Sequence, residues 1–137
     1  MPTQPVNVWG PRSVSYWLTA LAAGAIIFIG LRFMVSPSVG AEGFGIPLSP
    51  TQEAQAYGRI KGIRDIFSGL VVFVFLISAN PRATALTLGA AIIIPVSDFL
   101  TVLAVNGAHD VTHLLIHSLT AVYMGVTTFF LARAVPK

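Results

Sequence analysis

The stretch GIRDIFSGLVVFVFLIS, residues 62–78, places Arg64 and Asp65 at the entrance to an almost entirely apolar run. A bilayer core about 30 Å thick needs about 20 apolar residues in a helix, and this run approaches that length. Charged side chains next to hydrocarbon are costly, so they predict a functional site or a polar contact between helices. This stretch therefore predicts a membrane-spanning helix with a polar site near one end.

The composition extends this prediction to the whole chain. Of 137 residues, 55% are hydrophobic and only 9% are charged, whereas about a quarter of an average soluble domain is charged. We expect one integral membrane domain over residues 1–137. The absence of cysteine excludes disulfides, thiolate metal sites and iron–sulfur clusters. The eight Lys and Arg residues are scattered singly, so no nucleic-acid partner is expected.

Four apolar segments predict an all-α fold, a four-helix transmembrane bundle. The predicted spans cover residues 13–35, 58–78, 82–105 and 111–135. Ser49 is the expected N-cap of the second helix, Asn80 that of the third and Asp110 that of the fourth. Residues 36–48 are expected to form a loop between the first two spans.

The distribution of cations predicts the orientation in the membrane. Lys and Arg near the ends of spans favour the cytoplasmic side. If both termini are cytoplasmic, that side collects four cations, namely Arg12, Arg82, Arg133 and Lys137. Only Arg59 and Lys61 then flank the spans on the other side. We therefore predict a multi-pass protein with cytoplasmic N and C termini.

The ionisable residues gather toward the membrane face opposite the termini. At 1.5 Å per residue and with alternating helix directions, that face receives Arg32, Arg64, Asp65, Asp98, His109, Asp110, His113 and His117. This arrangement predicts a polar pocket about 10 Å below one surface, walled by apolar side chains and directed toward residues 36–48. Ionisable groups are costly inside membrane spans, so we interpret them first as parts of a functional site.

Helical periodicity predicts which side of the second span faces the rest of the bundle. Gly58, Gly62, Asp65 and Gly69 share one face. Glycines allow close approach of another helix, so Asp65 is expected to point into the bundle, toward Arg32 or a histidine on another span. Arg64 lies about 100° away around the helix and is expected to bind substrate or to anchor the helix at the interface.

Asp98 and the histidines of HDVTHLLIH, residues 109–117, are the remaining candidates. Asp98 lies too deep to reach the interface, so we expect it to be partnered or protonated. His113 and His117 can exchange protons near neutral pH. With Asp65 or Asp98 they could also hold zinc or iron, but the chain has no HExxH pattern. We therefore expect no metal and no other cofactor.

The motif Gly-x-Arg-Asp-x-x-x-Gly, with an aspartate late in the third span and a histidine in the fourth, resembles a known family. This is a family of small four-span integral membrane proteins of bacteria and fungi, classed as a domain of unknown function. The motif residues here are Gly62, Arg64, Asp65 and Gly69, followed by Asp98. The chain is also similar to DoxX-type four-helix membrane proteins. The resemblance implies a shared architecture and site, and no established reaction.

These observations predict a small membrane enzyme for acid–base chemistry on a lipophilic small molecule that enters from the lipid bilayer. The expected reaction is isomerisation, hydration or dehydration, or cyclisation, as in isomerases, lyases or hydrolases. Asp65, Asp98, His113 and His117 are the catalytic candidates, and Arg32 and Arg64 are expected to bind substrate. One alternative is a proton-linked transporter or channel subunit, and another is an accessory structural subunit. A homo-oligomer is left open.

Overall fold

The structure is a computed structural model and describes residues 9–135. Within that range every regular element is helical, which confirms the all-α class. The helices are α1 (Val14–Val35), α2 (Pro37–Phe44), α3 (Gln52–Ile77), α4 (Pro81–Ala91), α5 (Ile93–Asn106) and α6 (Val111–Ala134).

Three helices are long and apolar enough to cross a membrane, which fits a small membrane protein. They are α1, the continuous stretch of α4 and α5 (Pro81–Asn106), and α6. α3 is 26 residues long, but the stretch of it that is long enough to span, residues 60–77, contains three charged residues, Lys61, Arg64 and Asp65. Length and composition therefore support three membrane spans. They do not by themselves identify α3 as a fourth.

Glycines bring the backbones of α1 and α3 into direct contact. A Cβ atom on Gly62 would lie 2.7 Å from the carbonyl oxygen of Gly30, and one on Gly69 would lie 2.7 Å from that of Ala23. Real Cβ atoms essentially never approach so closely, so larger residues would force the helices apart. The predicted glycine face of α3 is confirmed as a helix contact, and α1 and α3 form one helix pair.

The second helix pair consists of α6 and the stretch α4–α5. Regular helix is interrupted at Ile92 between α4 and α5. Pro95 lies three residues further on, and it has no N–H to donate to the carbonyl of Ala91. This missing hydrogen bond accounts for the break within an otherwise continuous apolar helix.

Residues 36–48 are not a plain loop, which corrects the prediction. They contain α2, which begins at Pro37, where a missing N–H is harmless. α2 ends at Gly45, whose φ of 105° is in the left-handed region that favours glycine. The N-cap of α3 is Thr51 rather than Ser49, since the Thr51 hydroxyl accepts from the Ala54 N–H. Asn80 caps α4 as predicted.

The end of the bundle opposite α2 is closed by a small apolar core. Its buried members are Trp9, Leu76, Ala85, Leu88 and Leu131. Trp9 donates its indole N–H to the Ser15 hydroxyl over 2.9 Å. The two ends of the molecule therefore differ, since apolar side chains fill one and α2 covers the other.

Candidate functional site

A cavity of about 700 Å³, here called the chamber, lies between the two helix pairs. Its volume is within the range of about 300–1,000 Å³ that is usual for small-molecule sites. α2 contributes Gly40, Gly43 and Phe44 to its wall. The rest of the wall is mainly apolar, with side chains such as Ile26, Ile29, Val71, Val72, Leu88, Ile94, Leu119 and Met124.

Five acidic or basic side chains line the chamber and come together near α2. They are Arg32, Lys61, Asp65, Asp98 and His117, here called the polar end. Contacts to α2 place this group of side chains at the α2 end of the chamber. Arg32 donates a hydrogen bond to the Val39 carbonyl, and the His117 ring packs against the Phe44 ring. The structure therefore brings together four of the six predicted site residues and adds Lys61. Arg64 and His113 do not line the chamber.

His117 contacts both α2 and Asp98 with its two ring nitrogens. Only 7% of the residue is exposed. Nε2 lies 3.0 Å from the Phe44 carbonyl oxygen, and because a carbonyl can only accept, Nε2 carries the hydrogen. Nδ1 lies 3.9 Å from Oδ2 of Asp98, too far for a direct hydrogen bond. In the neutral imidazole, the lone pair of Nδ1 is therefore the one that faces Asp98.

Asp65 is held by Lys61, one helical turn earlier on α3. Lys61 Nζ lies 2.5 Å from Asp65 Oδ2, and 13% of the Asp65 side chain is exposed. The same ammonium lies 4.5 Å from the ring centroid of Phe33, a favourable cation–π distance. The predicted partner, Arg32 or a histidine, was wrong. The spacing i, i+4 between Lys61 and Asp65 could have revealed this pair in the sequence.

The two carboxyl groups of the polar end share one electrostatic environment. The charged groups close enough to act on Asp98 are Lys61, His117 and Asp65. Two carboxylates in a confined apolar site disfavour each other's charge, and nearby cations offset that effect. The polar end therefore places two carboxyl groups, one ammonium group and one imidazole in a single electrostatic environment.

Arg32 is the cation of the polar end that has no carboxylate partner. The ion pairs within residues 9–135 are Lys61–Asp65, His113–Asp110 and His117–Asp98. Arg32 Nη2 donates to the Val39 carbonyl oxygen over 3.2 Å. Its guanidinium lies against Gly43, where a Cβ atom would come within 3.3 Å of Nη1.

The remaining candidates lie outside the chamber. Arg64 is exposed on α3. His113 Nδ1 lies 2.7 Å from Oδ1 of Asp110, which also caps α6 as predicted. Hydrogen bonds from Asn106 and His113 hold the pKa of Asp110 below its usual value. Because Asn106 also donates to the Gly45 carbonyl, this cluster ties the α5–α6 turn to the end of α2.

Residues 9–135 contain no group of three or more His, Asp or Glu side chains placed to hold a metal ion. In the chamber, Asp98 and His117 are 3.9 Å apart, and Asp65 is bound to Lys61.

A family model described as a domain of unknown function (DUF4267) matches residues 23–131. The matched segment contains α2 to α5 in full and all five residues of the polar end. No curated protein and no solved structure matches the chain. The comparisons therefore show the family and leave the reaction to be argued from the chamber.

Proposed function

The chain belongs to the DUF4267 family, whose function is unknown, and from the chamber we propose a small membrane enzyme that catalyses acid–base chemistry on a lipophilic molecule. One observation carries the proposal. Asp98 and His117, two groups that can each give or take a proton, face each other at the polar end of an apolar chamber. Such a pair can serve one substrate as acid and base.

The proposed reaction is an isomerisation. A protonated Asp98 or His117 gives a proton to an alkene or carbonyl oxygen of the substrate. The other group removes a proton from a neighbouring carbon, so the product has the same atoms and no oxidant or reductant is needed. Hydration, dehydration and cyclisation use the same pair. Lys61 positions Asp65, and Arg32 contacts the polar part of the substrate.

We also propose that α3 crosses the membrane as a fourth span, with both termini cytoplasmic. The close backbone contact between α1 and α3 supports this, because α1 is itself long and apolar enough to span. Lys61 and Asp65 line the chamber instead of facing lipid. Three further points stay predictions. They are the Gly-x-Arg-Asp-x-x-x-Gly pattern as a family motif, the likeness to DoxX-type proteins and the formation of a homo-oligomer.

A proton-linked transporter is less well supported. Transport needs a polar path across the whole membrane, whereas Leu76, Leu88 and Leu131 are buried at the far end of the bundle. A purely structural subunit would use the polar groups to join helices. Asp98 instead lines a cavity, and within residues 9–135 only a weak 3.9 Å contact to His117 joins it to a neighbouring helix.

The test of the proposed function uses solvent deuterium as a label for proton transfer. Membranes with the wild-type protein, the Asp98→Asn variant or a Glu42→Gln control are incubated in D2O. Their lipid extracts are then compared by mass spectrometry. Glu42 is an exposed acid on α2 that does not line the chamber. We expect a lipophilic species to gain deuterium with the wild type and the control, and about 100-fold more slowly with Asp98→Asn.

The amount of folded protein separates catalysis from structure. Size-exclusion chromatography in detergent should give the same monodisperse yield for all three proteins. If labelling and folded yield fall together in Asp98→Asn, the carboxyl group is structural. Equal labelling in all three proteins would also refute the catalytic role of Asp98. Proton flux into liposomes that depends on Asp98 would favour the transporter.

A further inference from the structure

We propose that the chamber selects a single-chain amphiphile with one anionic head group, a carboxylate or a phosphate monoester, which binds to Arg32. This inference rests on the proposed function, because it names the substrate class of the same site. It is based on the ion pairs of the polar end, the position of the guanidinium and the length of the chamber.

Among residues 9–135, Arg32 is the side chain of the polar end that forms no ion pair. Lys61 binds Asp65, and the imidazole of His117 lies 3.9 Å from Asp98. Arg32 is exposed and also lines the chamber, and no carboxylate within the described residues forms an ion pair with it. A cation beside hydrocarbon is stabilised by an anion. An anionic head group would therefore supply the ion pair that Arg32 lacks.

The guanidinium has free donors at the chamber wall. Within residues 9–135 it makes one hydrogen bond, from Nη2 to the Val39 carbonyl, which uses one of five N–H groups. Gly43 allows the guanidinium to pack against the backbone of α2, because a Cβ atom there would lie 3.3 Å from Nη1, and both residues line the chamber. Paired N–H donors bind carboxylate and phosphate oxygens in a bidentate manner, which an alcohol cannot reproduce.

The apolar part of the chamber fits one extended chain. Lining residues on α1 run from Arg32 to Leu21, which is about 16 Å along the helix axis. An extended chain advances about 3.5 Å for every three bonds, so this length holds about a dozen carbon atoms. Lipid tails are as apolar as the chamber wall. The chain therefore adds little selectivity, and the head group determines which molecule binds.

The test measures binding of three ligands with the same twelve-carbon chain, namely dodecanoate, dodecyl phosphate and dodecanol. The full chain is placed in phosphatidylcholine nanodiscs, and each ligand displaces a fluorescent fatty-acid probe. For the wild type we expect at least about tenfold tighter binding of the two anions than of the alcohol. Arg32→Gln should reduce that ratio to about twofold or less, while binding of dodecanol stays unchanged. Arg59→Gln is the matched control, because Arg59 is exposed on α3 outside the chamber.

Each other outcome overturns the inference. Equal binding of anion and alcohol to the wild type would show that the head group is not recognised. Loss of all three ligands in Arg32→Gln would make Arg32 structural, and an unchanged ratio would make it an interfacial anchor. Nanodiscs with phosphatidylglycerol distinguish the source of the anion, because a phospholipid ligand would compete with dodecyl phosphate. Asp98→Asn should keep the anion preference, so the proposed function and this inference can fail separately.

Discussion

The imidazole of His117 joins the helix that covers the chamber to the acid inside it. Its Nε2–H donates a hydrogen bond to the Phe44 carbonyl, and the centroid of the Phe44 ring lies 4.8 Å from that of the imidazole ring. These contacts hold the ring and leave Nδ1 as the nitrogen that faces Asp98. The backbone of α2 thus determines which nitrogen of His117 would take part in the proposed proton transfer.

Replacement of His117 by glutamine should separate its structural role from its chemical role. The amide of Gln can still donate to the Phe44 carbonyl, but it cannot exchange a proton near neutral pH. We expect His117→Gln to slow deuterium labelling by about 100-fold or more. The thermal unfolding midpoint in detergent should stay close to that of the wild type.

His109 provides the control for this prediction. It is exposed in the turn between α5 and α6 and does not line the chamber, so His109→Gln should label at the wild-type rate. A large fall in the unfolding midpoint of His117→Gln would mean that its proton is not the reason for lost labelling.

The helix α3 presents a different environment on each of three sides. Gly62 and Gly69 face α1, Lys61 and Asp65 face the chamber, and Arg64 is exposed. These separate faces follow from the helical period of 3.6 residues. They explain how a helix with three charged residues between positions 61 and 65 can still pack within an apolar bundle.

The contact between α1 and α3 predicts a clear difference between two glycines. In Gly62→Ala the new methyl group would meet the Gly30 carbonyl oxygen at 2.7 Å, so the helices must separate. We expect a loss of about 1–3 kcal/mol in the free energy of unfolding, measured by denaturant titration in detergent.

The matched substitution is Gly24→Ala in α1. A Cβ atom at Gly24 has no neighbour within 4 Å, so its stability should be unchanged or slightly higher. Equal stabilities of the two variants would contradict the packing of α1 on α3 described above.

At the scale of the whole molecule, the two helix pairs enclose a cavity because little side-chain volume lies between them. The fully buried large side chains are few, among them Leu76, Val102 and Leu131, whereas large apolar side chains are exposed along all the long helices. Such an exterior is stable against lipid and unstable in water.

Three single-cysteine variants can test the proposed four spans. The chain has no cysteine, so Glu42→Cys, Ser78→Cys and Ala108→Cys each carry one thiol at an exposed position. With four spans and cytoplasmic termini, a membrane-impermeant maleimide should label Glu42→Cys and Ala108→Cys in intact cells. It should label Ser78→Cys only after lysis.

Other labelling patterns have equally definite meanings. If Glu42→Cys and Ser78→Cys are labelled from the same side, α3 does not cross the membrane. If Ser78→Cys alone reacts in intact cells, the four spans remain and the orientation is inverted.

The sequence by itself determined the helical class, the apolar segments and the faces of α3. Periodicity places a residue at a depth and on a face of its helix, so Asp65, Asp98 and His117 could be predicted to face a common pocket. The glycine contacts followed from the same rule. None of these predictions needed the distance between two helices, because each depends only on positions along one helix.

Only the tertiary structure decided which polar groups of different helices meet. His113 and His117 share a face of α6, yet His113 binds Asp110, three residues earlier in the chain, and His117 meets Phe44 and Asp98. Phe44 reaches His117 because residues 36–48 contain α2. Local pairs such as Lys61–Asp65 and Asp110–His113 follow from the spacing along one helix. Contacts between separate helices depend on distances of 3–4 Å, and a pattern along one helix does not contain those distances.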